Sequence, residues 1–384
     1  MFGIYIHWPF CLSKCPYCDF NSHVAARIDV AQWRAGYLKA LRWFAARTQD
    51  ETVGSVFFGG GTPSLMPPAL VGDILDRIAQ AWRLAPDVEV TLEANPTSAE
   101  QENFAGFARA GVNRLSLGAQ ALNDADLRAL GRQHTAKEAL QAWELAQKTF
   151  ARTSLDLIYA RPGQTPDAWR AELTQVLALG PEHVSAYQLT MEPETPFHHL
   201  HERGRLKLPD EETALEMFRL TRAMLAQGGL AAYEVSNHAR AGAQCRHNLL
   251  YWRYGQYAGI GPGAHSRIGT PRRALAAERH PQRWLKAARQ GTAGIVEDIT
   301  LTPEEMASEC LLMGLRLREG LPLARLRRVS GLEPDEGIVR ELMAAGLLRM
   351  PRAGVIATTE QGEMVLEALI AQLADALRPA PAAS

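Results

Sequence analysis

Short apolar runs alternate with amphipathic stretches of helical period from residue 4 to residue 189, and no other feature of the sequence constrains the fold as tightly. The apolar runs are residues 4–8, 55–58, 88–92, 114–117, 154–159 and 183–189. Between them lie helical patterns at 30–46, 68–82, 99–110, 136–150 and 166–179. Polar or glycine-bearing turns such as Ala110-Gly111-Val112-Asn113 separate the two kinds. Strands linked by helices run parallel, because a crossover returns the chain to the end from which it started. Six such units predict an α/β fold and suit an incomplete (β/α) barrel, which places polar site residues after its strands. A doubly wound sheet generates the same alternation, so the pattern leaves both open.

The segment after the first strand carries Cys11-Leu-Ser-Lys-Cys15-Pro-Tyr-Cys18. Thiolates are soft ligands suited to iron–sulfur clusters or zinc. A Cys-x₃-Cys-x₂-Cys loop can hold three corners of a 4Fe–4S cube and leave the fourth iron without a cysteine. A zinc site completed by His7 or His23, or three cysteines packed as small hydrophobes, are the alternatives. The second strand exits into Gly59-Gly60-Gly61-Thr62-Pro63, which lacks the Gly-Lys-Ser/Thr ending of a P-loop but lets a ligand approach the backbone. The third ends in Glu93, a carboxylate able to accept from both hydroxyls of a ribose. Gln120 and Arg132 follow the fourth, and Asp156 lies on the fifth. These supply an amide, a carboxylate-binding fork and an acceptor, or equally three structural hydrogen bonds.

Composition narrows the class. With 47% hydrophobic residues, 22% charged residues and a net charge of −1 across 384 residues, the chain reads as globular and not as an electrostatic binder of nucleic acid. The cysteines number five and do not form a disulfide framework, which favours a reducing compartment. No signal peptide and no apolar run of about 18 residues is evident, so a cytoplasmic protein without a transmembrane segment is expected.

Beyond residue 190 the repeat stops. Met191-Glu-Pro-Glu-Thr-Pro196 is a proline-punctuated exit, and a helix is expected over 210–227. Three patches rich in Gly, His and aromatics follow: Tyr233-Glu-Val-Ser-Asn237, His247-Asn-Leu-Leu-Tyr-Trp252 and Gly259-Ile-Gly-Pro-Gly-Ala-His265. As loops, they predict a binding surface. From residue 301 the pattern turns helical, opening on the capping signature Thr302-Pro-Glu-Glu305. Helices over 307–317, 334–345 and 360–377, with a hairpin over 348–355, suggest a small winged-helix-like α+β domain. Its recognition-helix candidate carries Asp335, Glu336 and Glu341 and is unsuited to phosphates, which points to packing or a protein partner. The expected boundaries are 1–200, 201–300 and 301–377, with a disordered tail at 378–384.

Cluster loop, glycine motif, Glu93 and Gln120 together resemble the radical SAM superfamily. That resemblance implies a partial (β/α)6 radical SAM barrel, a 4Fe–4S cluster on Cys11, Cys15 and Cys18, and S-adenosylmethionine (SAM) chelating the open iron. Over nearly the whole chain the sequence is similar to oxygen-independent coproporphyrinogen III oxidases. The similarity implies Tyr5, Gly60 and Glu93 at one SAM, and Tyr17, Gly61, Thr62, Gln120, Arg132 and Asp156 around a second. Phe20 stands where those oxidases have a further cysteine, and Tyr5 lies near the start of the sequence whereas they carry an N-terminal extension. His247-Asn248-Leu-Leu-Tyr251-Trp252 instead resembles the HNxxYW motif of the HemW family, which binds haem and passes it to acceptor haem proteins. That resemblance implies haem as a further cofactor, His247 as an axial ligand with Cys245 as the second choice, and an electron donor to the cluster. The expectation is a haem chaperone. The alternative is a coproporphyrinogen III dehydrogenase, and a radical SAM enzyme acting on RNA is disfavoured by the charge.

Overall fold

The protein is described from a computed structural model covering residues 1–380. Strands β1 (Phe2–Trp8), β2 (Thr52–Gly60), β3 (Arg83–Ala94), β4 (Arg114–Gln120), β5 (Arg152–Tyr159) and β6 (His183–Gln188) are neighbours in chain order and parallel throughout. A doubly wound sheet would reverse its direction of growth partway. Here each strand adds to the same side, which is the order of a barrel wall. Helices α1 (Val30–Thr48), α2 (Pro68–Ala81), α3 (Phe104–Ala110), α4 (Ala136–Thr149) and α5 (Pro166–Ala178) make the crossovers.

Register explains why this wall has one polar and one apolar face. Leu92 lies level with Phe58 and Leu115, and Leu155 with Leu117 and Val184; all are buried in the core shared with the helices. Each such side chain contributes roughly 1.5–3 kcal/mol on burial. The intervening positions point inward and are largely polar: Glu93 is level with Ser116, Ser116 with Ser154, and Asp156 with Ser185. Because side chains alternate with period two, one face packs the helices and the other furnishes the barrel interior.

Where the crossovers depart from expectation, a side chain is responsible. The helix predicted over 99–110 is two pieces, Ser98–Gln101 and Phe104–Ala110. Glu100 turns back to accept from the Asn95 N–H (2.9 Å), the Thr97 hydroxyl (3.0 Å) and Ser64, which pins the first turn. Gly111 ends α3 at φ +110°, the left-handed conformation for which glycine is suited.

The three patches read as loops are largely internal. Gln256–Ile260 pairs parallel with β1 on the side away from β2, and Asn237–Ala239 pairs antiparallel with β6, so both sheet edges are extended. Glu234, His238 and His247 are at most 1% exposed. Clusters of Gly, His and aromatics look like a surface locally, but the barrel edges bury them.

The C-terminal unit has its own core around Cys310, Leu311, Leu326 and Leu373. Thr302 and Glu305 form the reciprocal capping box that opens helix Pro303–Gly314. Helices Leu323–Ser330 and Glu336–Ala344 follow, then strands Leu348–Arg352 and Val355–Thr358, which join Leu321–Pro322 in an antiparallel sheet of winged-helix order. The final helix is broken at Val365 into Glu360–Met364 and Leu366–Asp375. The tail predicted to begin at residue 378 instead starts in a strand, Leu377–Pro379, paired antiparallel with Leu332–Pro334. Arg378 is held there by Asp335 at 2.9 Å, a non-local partner. The rest of that predicted tail, 381–384, lies outside the described residues. Among the described residues no helix is long and apolar enough to cross a membrane.

Candidate functional site

A cleft of about 520 Å³ opens at the C-terminal ends of β2 to β6, within the size range of small-molecule sites. Cys11, Cys15 and Cys18 all line it. The loop bearing them is anchored where Phe10–Cys11 pairs with His23–Val24, and it is tightened by the Cys18 N–H donating to the Cys15 carbonyl at 3.2 Å. Thr62 donates its hydroxyl to the Cys11 sulfur (3.3 Å), and Arg132 donates Nη1 to the Cys15 sulfur (3.6 Å). Burial raises the Cys11 and Cys18 thiols above their ordinary range. A bound metal reverses that preference by ligating the thiolate.

The glycines of the second strand exit are required by contact. A Cβ on Gly61 would lie 2.7 Å from the Phe10 carbonyl oxygen, and one on Gly60 would lie 2.6 Å from the His7 ring with φ already at +110°. The Gly61 and Thr62 N–H groups donate to the carbonyls of Trp8 (2.7 Å) and Phe10 (2.8 Å). This strand end is therefore stitched to the root of the cysteine loop.

Glu93, Gln120, Arg132 and Asp156 meet across the same cleft, together with Tyr17, Gly61 and Thr62. Burial, assisted by the nearby Asp156, pushes the Glu93 carboxyl up to about 8, although the Gly60 N–H opposes the shift. Glu93 is therefore largely protonated at neutral pH. Burial also raises Asp156, against hydrogen bonds donated by Ser116 (2.7 Å) and Ser154 (3.0 Å). Gln120 ends β4 at φ +68°, an uncommon conformation for a residue with a side chain. Arg132 is fixed by the Gly118 carbonyl (3.0 Å) and by Asn95, whose amide also donates to Thr62 at 3.2 Å. Asn95, Ser116 and Tyr187 line the cleft without having been singled out from the sequence. Ser116 and Tyr187 sit at the inward positions of β4 and β6, so alternation along the strands was the available signal.

Tyr5 and Gly60 do not line this cleft but adjoin Glu93, which does. Tyr5 hydrogen-bonds His7 at 3.0 Å and lines, together with Glu93, a second cavity of about 180 Å³, deeper in the barrel, while the Gly60 N–H donates to Glu93. His247 also lines that inner cavity. Its Nδ1 is 2.9 Å from the Ser55 hydroxyl, its Nε2 is 2.8 Å from the Tyr251 hydroxyl, and its ring stacks on Phe57 at 5.2 Å. Burial drops it to about 3, so it is neutral. Both nitrogens are engaged and the cavity is too small for a macrocycle, so the expected axial-ligand role for His247 does not fit this packing. Cys245 fits no better: it is buried, with its thiol directed 3.6 Å from Glu89. Phe20, by contrast, is 58% exposed on the cleft rim.

A Radical SAM superfamily model matches residues 5–175, and a HemN C-terminal domain model matches residues 301–362. The Heme chaperone HemW of Mycobacterium tuberculosis (strain ATCC 25618 / H37Rv) is 39% identical over 329 residues, covering 85% of this chain and 84% of that one. The chain belongs to the HemW family of radical SAM proteins. Heme chaperone HemW of Escherichia coli (strain K12) is 36% identical, covering 96% of this chain and 97% of its own length. The mitochondrial Radical S-adenosyl methionine domain-containing protein 1 of Bos taurus is 39% identical across 98% of this chain and 88% of its own. A solved structure, Coproporphyrinogen III oxidase (HemN) from Escherichia coli, matches 97% of this chain and 89% of its own with a TM-score of 0.81 at 20% identity, a likeness of fold. Radical SAM membership implies a 4Fe–4S cluster and SAM. The HemW-family chain fits both: three thiols face one cleft, and that cleft is walled by glycine backbone and polar strand ends.

Proposed function

We propose that this chain is a haem chaperone that binds haem and transfers it to acceptor haem proteins. In this reading it carries a 4Fe–4S cluster on Cys11, Cys15 and Cys18, with SAM in the cleft. Identity of 36–39% over most of the chain to proteins named Heme chaperone HemW carries the reading. Bound in the cleft, the cluster and SAM supply one-electron chemistry, with electrons from an external donor. The protein's own groups have separate tasks. The cysteines act as ligands, Arg132 and Thr62 stabilise two of the thiolates by hydrogen bonding, and Asn95 orients both partners. Glu93 offers a carboxyl to ribose hydroxyls, and Asp156 is held ready by two serines. Haem is assigned outside the inner cavity, against the exposed apolar rim that includes Leu12 and Phe20. A reducing compartment, the cytoplasm, suits the cluster thiols.

Coproporphyrinogen III oxidation is the second reading, favoured by the fold likeness to HemN. Anaerobic reconstitution separates the two. Haem titration of the reconstituted chain is expected to reach stoichiometric binding. The same sample, given SAM, a strong reductant and coproporphyrinogen III, is expected to form no protoporphyrinogen. Product formation without haem binding would establish the second reading.

A further inference from the structure

The inner cavity holds a charge that the chaperone reading does not use. Arg114 is level with Thr91 and Arg152 on the inward face of β4, is 1% exposed, and lines the cavity. Its Nε is buried without a hydrogen-bond partner, and among the described residues its guanidinium makes no ion pair within 4.0 Å. Nearby Glu89 and Asp156 favour its charge but make no direct pair with it. Glu89 accepts from Arg152 at 2.6 Å and from the Arg246 N–H at 2.8 Å, and Asp156 accepts from Ser116 and Ser154. A buried guanidinium with free donors is costly, and its planar fork matches a carboxylate.

We propose that this cavity is a carboxylate-binding subsite anchored by Arg114. Asn248, Ser185 and Tyr187 add hydrogen-bonding groups around the same space. Its histidine neighbours are not cations, since burial holds His183 well below its ordinary range and His247 at about 3, and Glu93, raised to about 8, is not a competing anion at neutral pH. Access comes from the cleft: Glu93, Ser116, Asp156 and Tyr187 line both spaces, so a carboxylate arm can pass between them. The 180 Å³ volume admits a carboxylate and its first carbons but not a porphyrin macrocycle. The ligand is therefore either a free small carboxylate or the carboxylate arm of a larger molecule seated in the cleft. Only the second source rests on the chaperone reading, with a haem propionate as the arm.

Two arms test this with the full chain. Acetate and acetamide are titrated at constant ionic strength while the unfolding midpoint is followed. Haemin and its dimethyl ester are then titrated by absorbance. A free carboxylate ligand predicts a saturable rise with acetate and none with acetamide. A propionate arm predicts that haemin binds roughly tenfold or more tightly than its ester. Either preference is lost in Arg114→Gln and in Asn248→Leu, which fills the cavity and keeps the arginine should the first variant fail to fold. Absence of both preferences in the unaltered chain overturns the subsite, as does a preference that survives in a folded variant. If haemin does not bind at all, the chaperone reading fails while the acetate arm still decides the subsite.

Discussion

Arg132 reaches from the segment after β4 to place Nη1 3.6 Å from the sulfur of Cys15, joining the far wall of the cleft to the cysteine loop. The same side chain is anchored on the Gly118 carbonyl at 3.0 Å. Replacing it removes a cation from beside a thiolate that must stay deprotonated to bind metal. Arg132→Met is expected to leave the protein folded, slow cluster assembly under anaerobic reconstitution, and weaken SAM binding by about tenfold or more. Cys15→Ala is expected to abolish stable assembly. Iron-to-protein ratio and the charge-transfer absorbance report both.

Glu93 gives a pH signature with a definite sign. Its carboxyl is raised from 4.5 to about 8, so the folded chain holds a proton that the unfolded chain releases. The associated stability is fully present below about pH 4.5 and is lost as pH rises towards 8. The cofactor-free protein is expected to lose up to about 4 kcal/mol from this group across that window, discounted because the group faces an open cleft. Glu93→Gln should flatten that limb of the melting-temperature profile. Glu93→Ala should weaken SAM binding by about ten- to hundredfold, as measured by equilibrium dialysis.

His247 is expected to behave as a core residue. His247→Ala removes two buried hydrogen bonds and leaves a cavity, at a cost of about 2–4 kcal/mol in denaturant unfolding. The absorbance spectrum of bound haem should not change. A shifted Soret band would restore the axial-ligand role.

Acid should act through the same histidine. The His247 imidazole is lowered from 6.5 to about 3, so its neutral form contributes stability present above about pH 6.5 and lost as pH falls towards 3. His238, at about 3, and His7, at about 4, act in the same direction. Unfolding midpoints measured from pH 7 downward should fall on this account, and less steeply in His247→Phe than in the unaltered chain.

Gly60→Ala combines a clash with the His7 ring and a φ of +110°. It is expected to cost about 1–3 kcal/mol and to displace the cysteine loop, lowering cluster occupancy even though no ligand is altered. Circular dichroism and iron analysis of the same sample separate misfolding from the local effect.

Local sequence patterns determined most of the strands and helices. Period-two runs such as 154–159, and capping signals such as Thr302 with Glu305, act through neighbours a few residues apart. The cysteine ligand set was legible for the same reason, since a Cys-x₃-Cys-x₂-Cys loop brings its thiols together within one turn of chain. Tertiary structure alone decided what depends on pairing across long separations. The choice of barrel over doubly wound sheet rests on strand order. The burial of His247 rests on Ser55, 192 residues away, and on the barrel edge formed by Gln256–Ile260. Arg114 is visible in the sequence only as the first residue of the run 114–117. It becomes a buried cation facing a cavity because register turns β4 inward at that residue, and the nearby carboxylates are already engaged by other partners.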